Sequence, residues 1–424
     1  MVDSDYSTDS DDELPSGWEE RVSVDGKVFY ACHEVQKTQW HHPVSGKRKK
    51  VIGELPYGWE RKIGDTGYVY FIDHKNQRTT FTDPRLAYAV EDKLEPGGAF
   101  TIKQKYDCNT SASKILLGRD LTGRYAVITG ANAGIGFETA KSLALAGCTV
   151  VMACRNVKSA ESAAAIITTE NSAAKVEVMH LDLASLKSVR RFAEEYTKRG
   201  WPIHMLILNA AVLSPPYTVT EDGLELCFQV NYLSHHYLCN LLQHILVRSA
   251  PSRIVNVSSE SHRSRSTTVQ SEKDVTLEKL SPSEENYNGL AQYGVTKLLN
   301  IAFSNALNHR KVMHKVFSNS LHPGNLIPTS LSRNWWGYRL LFTLLRPFTK
   351  SLEQGAATTV FVATCKELED VGGMYFNNCW VCQPSELAQS PEFCEKVYQL
   401  GEQLLLEKMG PGAFDIPVEM KSGF

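Results

Sequence analysis

Thr129-Gly130-Ala131-Asn132-Ala133-Gly134-Ile135-Gly136 follows an apolar run, Tyr125-Ala126-Val127-Ile128-Thr129, and precedes a stretch of helical periodicity from Phe137 to Ala146 that stops at Gly147. A run that is apolar on both faces is what a buried parallel strand requires. The three glycines after it let a backbone approach a pyrophosphate, and the N–H groups that open the next helix point at the same place. Strand, turn and helix together predict the first unit of an open α/β sheet with a nucleotide crevice. Further outward, residues 149–153 form a second apolar run, and 176–181, 205–208, 254–257 and 316–321 are further strand candidates separated by helical patterns. That alternation predicts a Rossmann-type, doubly wound parallel sheet.

Downstream lie Asn231, Ser259, Tyr293 and Lys297, in that order. A free phenol has a pKa of about 10, poorly placed for proton transfer near neutrality. An ammonium one helical turn away favours phenolate, and Lys297 lies on the face that Tyr293 occupies. Glycine turn, Asn, Ser and Tyr-x-x-x-Lys in this order resemble the short-chain dehydrogenase/reductase family over residues 121–424, and the Gly-x-x-x-Gly-x-Gly spacing is that family's form of the turn.

The resemblance implies roles. Tyr293 is the acid/base and Lys297 also holds the nicotinamide ribose. Ser259, rather than Ser258, orients the substrate oxygen, and Asn231 holds a water that links the lysine to solvent. The cofactor site comprises Gly130, Ala131, Asn132, Ala133, Gly134, Ile135 and Gly136 with Arg155, Asp182, Asn209 and Lys297. After the second strand stands Cys154-Arg155, where an acidic residue would accept the ribose hydroxyls of NAD. A guanidinium pairs with a 2′-phosphate, so NADP(H) is expected over NAD(H); the alternative is an Arg155 that stacks on adenine. Asn209-Ala210-Ala211 departs from the family's Asn-Ala-Gly by a methyl at Ala211.

In front of this domain is an internal repeat. Leu14-Pro15-Ser16-Gly17-Trp18-Glu19 returns 41 residues later as Leu55-Pro56-Tyr57-Gly58-Trp59-Glu60. Each copy continues with two aromatics, a histidine, a threonine and a closing proline, and turn signals such as Asp25-Gly26 predict a three-stranded antiparallel meander. The copies, residues 14–46 and 55–86, resemble WW domains. By that resemblance Trp18, Tyr30 and Pro43 form a structural buckle, while Phe29, His33, Thr38 and Trp40 form the peptide-binding face for Pro-Pro-x-Tyr segments. In the second copy Phe81 stands where the first has Trp40. The loss of indole area and its N–H predicts that the first copy binds peptide and the second supports it; a working groove built on Phe81 is the alternative.

The rest of the chain gives weaker signals. Among 424 residues the net charge is −2, so no overall field draws nucleic acid, and direct nucleic-acid binding is not expected. Six acids between Asp3 and Glu13 read as a disordered tail over residues 1–13. Lys47-Arg48-Lys49-Lys50, in a basic segment 47–54, reads either as a nuclear-import signal or as a solvated linker. Residues 87–120 read as a linker around Glu95-Pro96-Gly97-Gly98. No secretory signal precedes the first repeat and the ten cysteines show no framework, so reduced thiols in an intracellular protein are expected, with no metal site. Polar residues 263–286 read as an insertion beside the pocket. The Asn334-Trp335-Trp336 and 340–345 stretch sits where short-chain relatives place a substrate lid, and implies an apolar substrate such as a steroid or retinoid. The same stretch fits ordinary core, a protein interface or a shallow peripheral membrane contact equally well.

Short-chain relatives of this kind resemble retinol dehydrogenases and often pair as homodimers. Two WW domains ahead of such a domain imply, by resemblance, a cytoplasmic protein able to enter the nucleus and to associate with mitochondria. They imply a tumour-suppressor-type adaptor in apoptotic, stress and Wnt signalling, with transcriptional regulators as partners. Two functions therefore stand side by side: an oxidoreductase recruited by its first WW domain, and an adaptor whose dehydrogenase domain senses nucleotide without turnover.

Overall fold

The computed structural model describes residues 14–23, 28–33, 35, 37–44, 48–51, 55–56, 58–64, 69–88, 90–91, 106–107, 109–310, 313–324 and 351–416. The acidic tail, Lys47 and the expected lid over 334–345 lie outside them. The chain divides into two compact units, Met1–Ile102 and Lys103–Phe424.

In the first unit, β1 (Trp18–Val22), β2 (Val28–Cys32) and β3 (Lys37–Gln39) pair as an antiparallel meander. Period-two alternation sorts β2: Val28, Tyr30 and Cys32 are buried, while Phe29 and Ala31 face outward. Tyr30 and Val28 pack with Val51, and Trp18, Val22 and Leu86 lie against them. Between β3 and the second meander comes β4 (Lys49–Lys50), followed by β5 (Trp59–Ile63), β6 (Val69–Asp73) and β7 (Arg78–Thr80). Asp73, buried, fixes the turn into β7 by accepting from Lys75 N, Asn76 N and Arg78 Nε. β4 pairs with β8 (Val90–Glu91), so the segments expected as linkers on either side of the second meander join in a short ribbon. Lys49 Nζ lies 3.5 Å from Glu20 Oε1 and its side chain is 17% exposed, so that part of the basic block is not freely solvated.

The second unit is an eight-stranded sheet. Its strands are β9 (Tyr125–Thr129), β10 (Thr149–Cys154), β11 (Lys175–His180), β12 (Met205–Leu208), β13 (Ser252–Val257), β14 (Val316–His322), β15 (Tyr375–Asn377) and β16 (Trp380–Cys382). They lie in the order β11-β10-β9-β12-β13-β14-β15-β16, all parallel except the terminal β15–β16 pair. The six strands read from sequence are all present. The last two were missed, being only three residues each.

The helices are α1 (Ala112–Leu116), α2 (Gly134–Leu145), α3 (Val157–Glu170), α4 (Leu186–Arg199), α5 (Leu226–Phe228), α6 (Ser234–Arg248), α7 (Leu277–Leu280) and α8 (Gly289–Asn308). Helices Leu352–Thr364 and Pro391–Met409 follow. α2 begins at Gly134, within the glycine turn and earlier than its apolar periodicity suggested. α2, α3 and Leu352–Thr364 cover one face of the sheet; α4, α6, α8 and Pro391–Met409 cover the other. The expected linker 87–120 is shorter than its composition implied. Tyr106 packs its ring 5.8 Å from Phe361, and Ala112, Ile115 and Leu116 are buried, because three apolar residues on one turn suffice to dock α1 on Leu352–Thr364.

Candidate active site

β9 and β12 are neighbours, and the connections leave them toward opposite sides of the sheet, which opens a crevice at their carboxyl ends. The glycine turn fills the β9 side of it. Gly130 and Gly134 have φ of +68° and +61°, a region that L side chains avoid. A Cβ on Gly136 would lie 2.5 Å from both Asn209 Nδ2 and Gly130 O, so only glycine allows this approach. Asn209 closes the turn from β12. Its side chain donates to Thr129 O (2.9 Å), and its backbone N–H and that of Ala210 both donate to Thr129 Oγ1 (2.9 and 3.0 Å). Asn132 Nδ2 reaches Ser159 Oγ (3.1 Å), tying the turn to the first turn of α3. Arg155, at the tip of β10, is exposed and makes no ion pair among the described residues. Asp182 accepts from Ala184 N (3.0 Å), capping the turn beyond β11. Ala211 keeps an ordinary backbone conformation, so the family's glycine is not demanded there by φ. The glycine cradle and the helix N–H groups at the start of α2 fit the pyrophosphate of a dinucleotide.

Tyr293 and Lys297 project from α8. The Ser259 side chain lies beside the Tyr293 hydroxyl. Ser259 leaves β13 as the cap of a short 3-10 turn, with Oγ accepting from Ser261 N (3.2 Å). Ser258 plays a different part: buried, it donates Oγ–H to the backbone carbonyl of Lys297 (2.7 Å). Lys297 Nζ sits 5.4 Å from the Tyr293 ring centroid and donates to Val257 O (2.8 Å).

The electrostatics differ from the expectation. Burial raises the Tyr293 pKa above the ordinary phenol value, reinforced by nearby Cys227, and the polar Ser259 side chain only partly offsets it. Burial also draws Lys297 down to about 8. Tyr293 itself remains partly exposed on α8, so the direction of its shift reflects the packing around the ring rather than the ammonium that the sequence pattern emphasised.

Asn231 lies in a π-helical turn, Gln229–Leu233, between α5 and α6. Its amide locks the β12 exit loop by accepting from Val212 N (2.8 Å) and donating to Val212 O (3.0 Å), and it also donates to Thr296 Oγ1 (3.1 Å) on α8. The carbonyl of Asn231 accepts from Asn300 Nδ2 (2.9 Å) and from His235 Nδ1 (3.2 Å). Two side chains, from α6 and α8, thus converge on the Asn231 carbonyl. The role of Asn231 shown here is to join three segments. Glu225, buried, supports the turn by capping Cys227 N and Phe228 N (2.7 and 2.8 Å) and accepting from Gln292 Nε2 (2.9 Å) beside Tyr293.

Three further residues were not singled out from sequence. His235 bridges Asn231 O and Thr129 Oγ1 (3.0 Å). His262 donates Nδ1–H to Ser259 O (2.7 Å) and accepts from Ser385 N (3.1 Å) at Nε2, which fixes the Ser259 loop to the C-terminal segment. Asn300 stands one turn beyond Lys297. Their only sequence signal is position, three or four residues after Asn231, Ser259 and Lys297. The 263–286 insertion packs through buried Val269 and Leu280, and Leu280 O accepts from Gln292 (2.7 Å), so it braces the start of α8.

In the first unit, Phe29 and Trp40 meet edge-on with centroids 6.0 Å apart, and Trp40 is 45% exposed. Ala31 pairs with Thr38, which puts Thr38 on the Phe29 face with Trp40. His33 is exposed at the rim, its Nε2 3.0 Å from Glu19 Oε1. The four expected groove residues thus share one face. The second meander exposes Phe81 and buries Phe71 in the place of Tyr30.

The short chain dehydrogenase family pattern matches residues 124–270. Over 404 residues the chain is 57% identical to a WW domain-containing oxidoreductase of Gallus gallus, covering 95% of this chain and 96% of that one. A protein of the same description from Drosophila melanogaster is 45% identical over 403 residues, 94% of this chain and 97% of its own. Retinol dehydrogenase 12 of Mus musculus is 38% identical over 288 residues, 67% of this chain and 87% of that one. Among solved structures, a putative uncharacterized protein from Mycobacterium paratuberculosis superposes with a TM-score of 0.54 at 28% identity, over 70% of this chain and 97% of that one.

Proposed function

This chain belongs to the WW domain-containing oxidoreductases, within the short-chain dehydrogenases, and from that premise we propose that it reduces the carbonyl of an apolar substrate with NADPH. The observation that carries the reading is Tyr293 and buried Lys297 one turn apart on α8, Nζ 5.4 Å from the ring centroid, with the Ser259 side chain beside the hydroxyl. The glycine turn, Asn209 and Lys297 would hold the nicotinamide cofactor, which when bound would supply a hydride. Arg155, exposed beyond β10 and in no ion pair among the described residues, supports the phosphorylated form of the cofactor over NAD(H). Ser259 orients the substrate oxygen, and Tyr293 donates its phenolic proton to that oxygen. A substrate of steroid or retinoid type accords with the likeness to a protein described as a retinol dehydrogenase.

The Phe29–Trp40 face supports recruitment of this activity to Pro-Pro-x-Tyr segments, such as those of transcriptional regulators. A cytoplasmic protein that reaches the nucleus is the setting this pairing suits. The second reading is an adaptor whose dehydrogenase domain binds nucleotide without significant turnover. The experiment that separates the readings titrates NADPH and NADH into the full chain and then follows NADPH oxidation against a panel of apolar ketones. Tyr293→Phe is expected to abolish oxidation while NADPH binding and peptide binding persist. Wild-type turnover no higher than that of Tyr293→Phe across the panel gives the adaptor reading the field.

A further inference from the structure

An unbroken chain of hydrogen bonds runs from the glycine turn to the helix that carries Tyr293. Asn209 donates to Thr129, Thr129 meets His235, and His235 meets the Asn231 carbonyl. The Asn231 amide then donates to Thr296, whose hydroxyl donates to the backbone carbonyl of Tyr293 (2.8 Å). His235 is the one ionisable link, and both of its ring nitrogens have partners that allow a single assignment.

A carbonyl oxygen can only accept, so the 3.2 Å contact to Asn231 O requires the proton on His235 Nδ1. At the other end, Thr129 Oγ1 already accepts from the N–H groups of Asn209 and Ala210. A hydroxyl has two lone pairs and one proton, so that proton must go to His235 Nε2, 3.0 Å away. Protonating Nε2 would set a third donor against Thr129. The ring is 1% exposed on α6, where two donors set against each other are costly.

We infer that His235 is a positioning residue: with its proton on Nδ1, it locks the nucleotide turn at Thr129 to the Asn231 carbonyl and so aligns the cofactor cradle with α8. The inference rests on the dehydrogenase reading of this site, and it goes beyond it by naming the residue that joins the two halves. His235 touches neither cofactor nor substrate, and its effect passes through Thr129 and Asn231.

The test uses the full chain with its histidine rings labelled with ¹⁵N. The signal absent from His235→Gln identifies the ring, and its nitrogen shifts report which nitrogen bears the proton. The expected result is Nδ1–H both with and without NADPH. Two substitutions then separate the ends of the link. His235→Gln carries an amide oxygen toward Thr129, whereas His235→Asn keeps an N–H toward Asn231 O and leaves the Thr129 proton without an acceptor. NADPH affinity is expected to fall about tenfold in His235→Asn, the cost of one stranded buried hydroxyl, and to stay within about threefold of wild type in His235→Gln. A packing role alone would weaken both alike. A proton on Nε2, or His235→Asn binding NADPH as wild type does, overturns the inference. A wild-type chain that binds neither NADPH nor NADH sinks the dehydrogenase reading instead, and the ring signal still decides the assignment at His235.

Discussion

Lys297 shows how a motif can be legible while its energetics are not. The Tyr-x-x-x-Lys spacing placed ring and ammonium together from sequence alone, and the structure sets Nζ 5.4 Å from the ring centroid. The sign of the Tyr293 shift came from burial, which no local pattern reports. The same burial makes Lys297 costly. Its pKa of about 8 lies below the value of about 10.5 expected for the unfolded chain, so between these values the unfolded state binds more protons. Stability therefore rises with pH from about 8 to about 10.5, and below 8 the fold carries the full cost of a buried ammonium. Lys297→Met is expected to raise the unfolding free energy of the second unit at pH 7 by about 1–3 kcal/mol, less what is lost with the bond to Val257 O, and to abolish turnover. Denaturant melts at pH 7 and pH 10 check this. A variant less stable than wild type at pH 7 contradicts it.

Among the elements, strands were read better than turns. The runs at 125–129 and 205–208 match β9 and β12 to the residue, because a strand buried on both faces leaves an apolar block in the sequence. The π-helical turn at Gln229–Leu233 left no such trace. One inserted residue shifts the helical phase without altering composition, yet it turns the Asn231 carbonyl and amide onto separate partners. The β15–β16 hairpin escaped notice because three residues carry too little alternation, and α1 because its flanks read as linker. The glycine turn was fully legible, since its constraint is steric. Gly136→Ala is expected to weaken NADPH binding more than about tenfold and to cost about 1–3 kcal/mol of stability, since the new methyl meets backbone at Gly130 O as well as Asn209. Fluorescence titration and thermal melts measure the two effects. Wild-type NADPH affinity in this variant would mean that the nucleotide does not lie on the turn.

At the scale of the whole molecule, the sequence repeat announced two meanders and the αβ alternation announced the sheet, and the structure divides the chain between Ile102 and Lys103 accordingly. What the repeat could not show is that the segments around the second meander pair as β4 and β8, and that Val51 and Leu86 lie on the first meander's core. The two grooves differ in one wall. Trp40 faces Phe29 at 6.0 Å, whereas the equivalent wall of the second meander is exposed Phe81. A proline ring packed between aromatic walls gains most of its affinity from contact area, and indole offers more of it together with an N–H donor. Trp40→Ala is therefore expected to weaken binding of a Pro-Pro-x-Tyr peptide at least about tenfold, and Phe81→Trp to add a second binding event in the wild-type background. Because peptide groove and nucleotide crevice belong to separate compact units, neither change should move NADPH affinity. Calorimetric titration of peptide and of nucleotide into each variant tests both halves. Undiminished peptide binding in Trp40→Ala would put the groove elsewhere, and a shifted NADPH affinity would mean that the two units are energetically coupled.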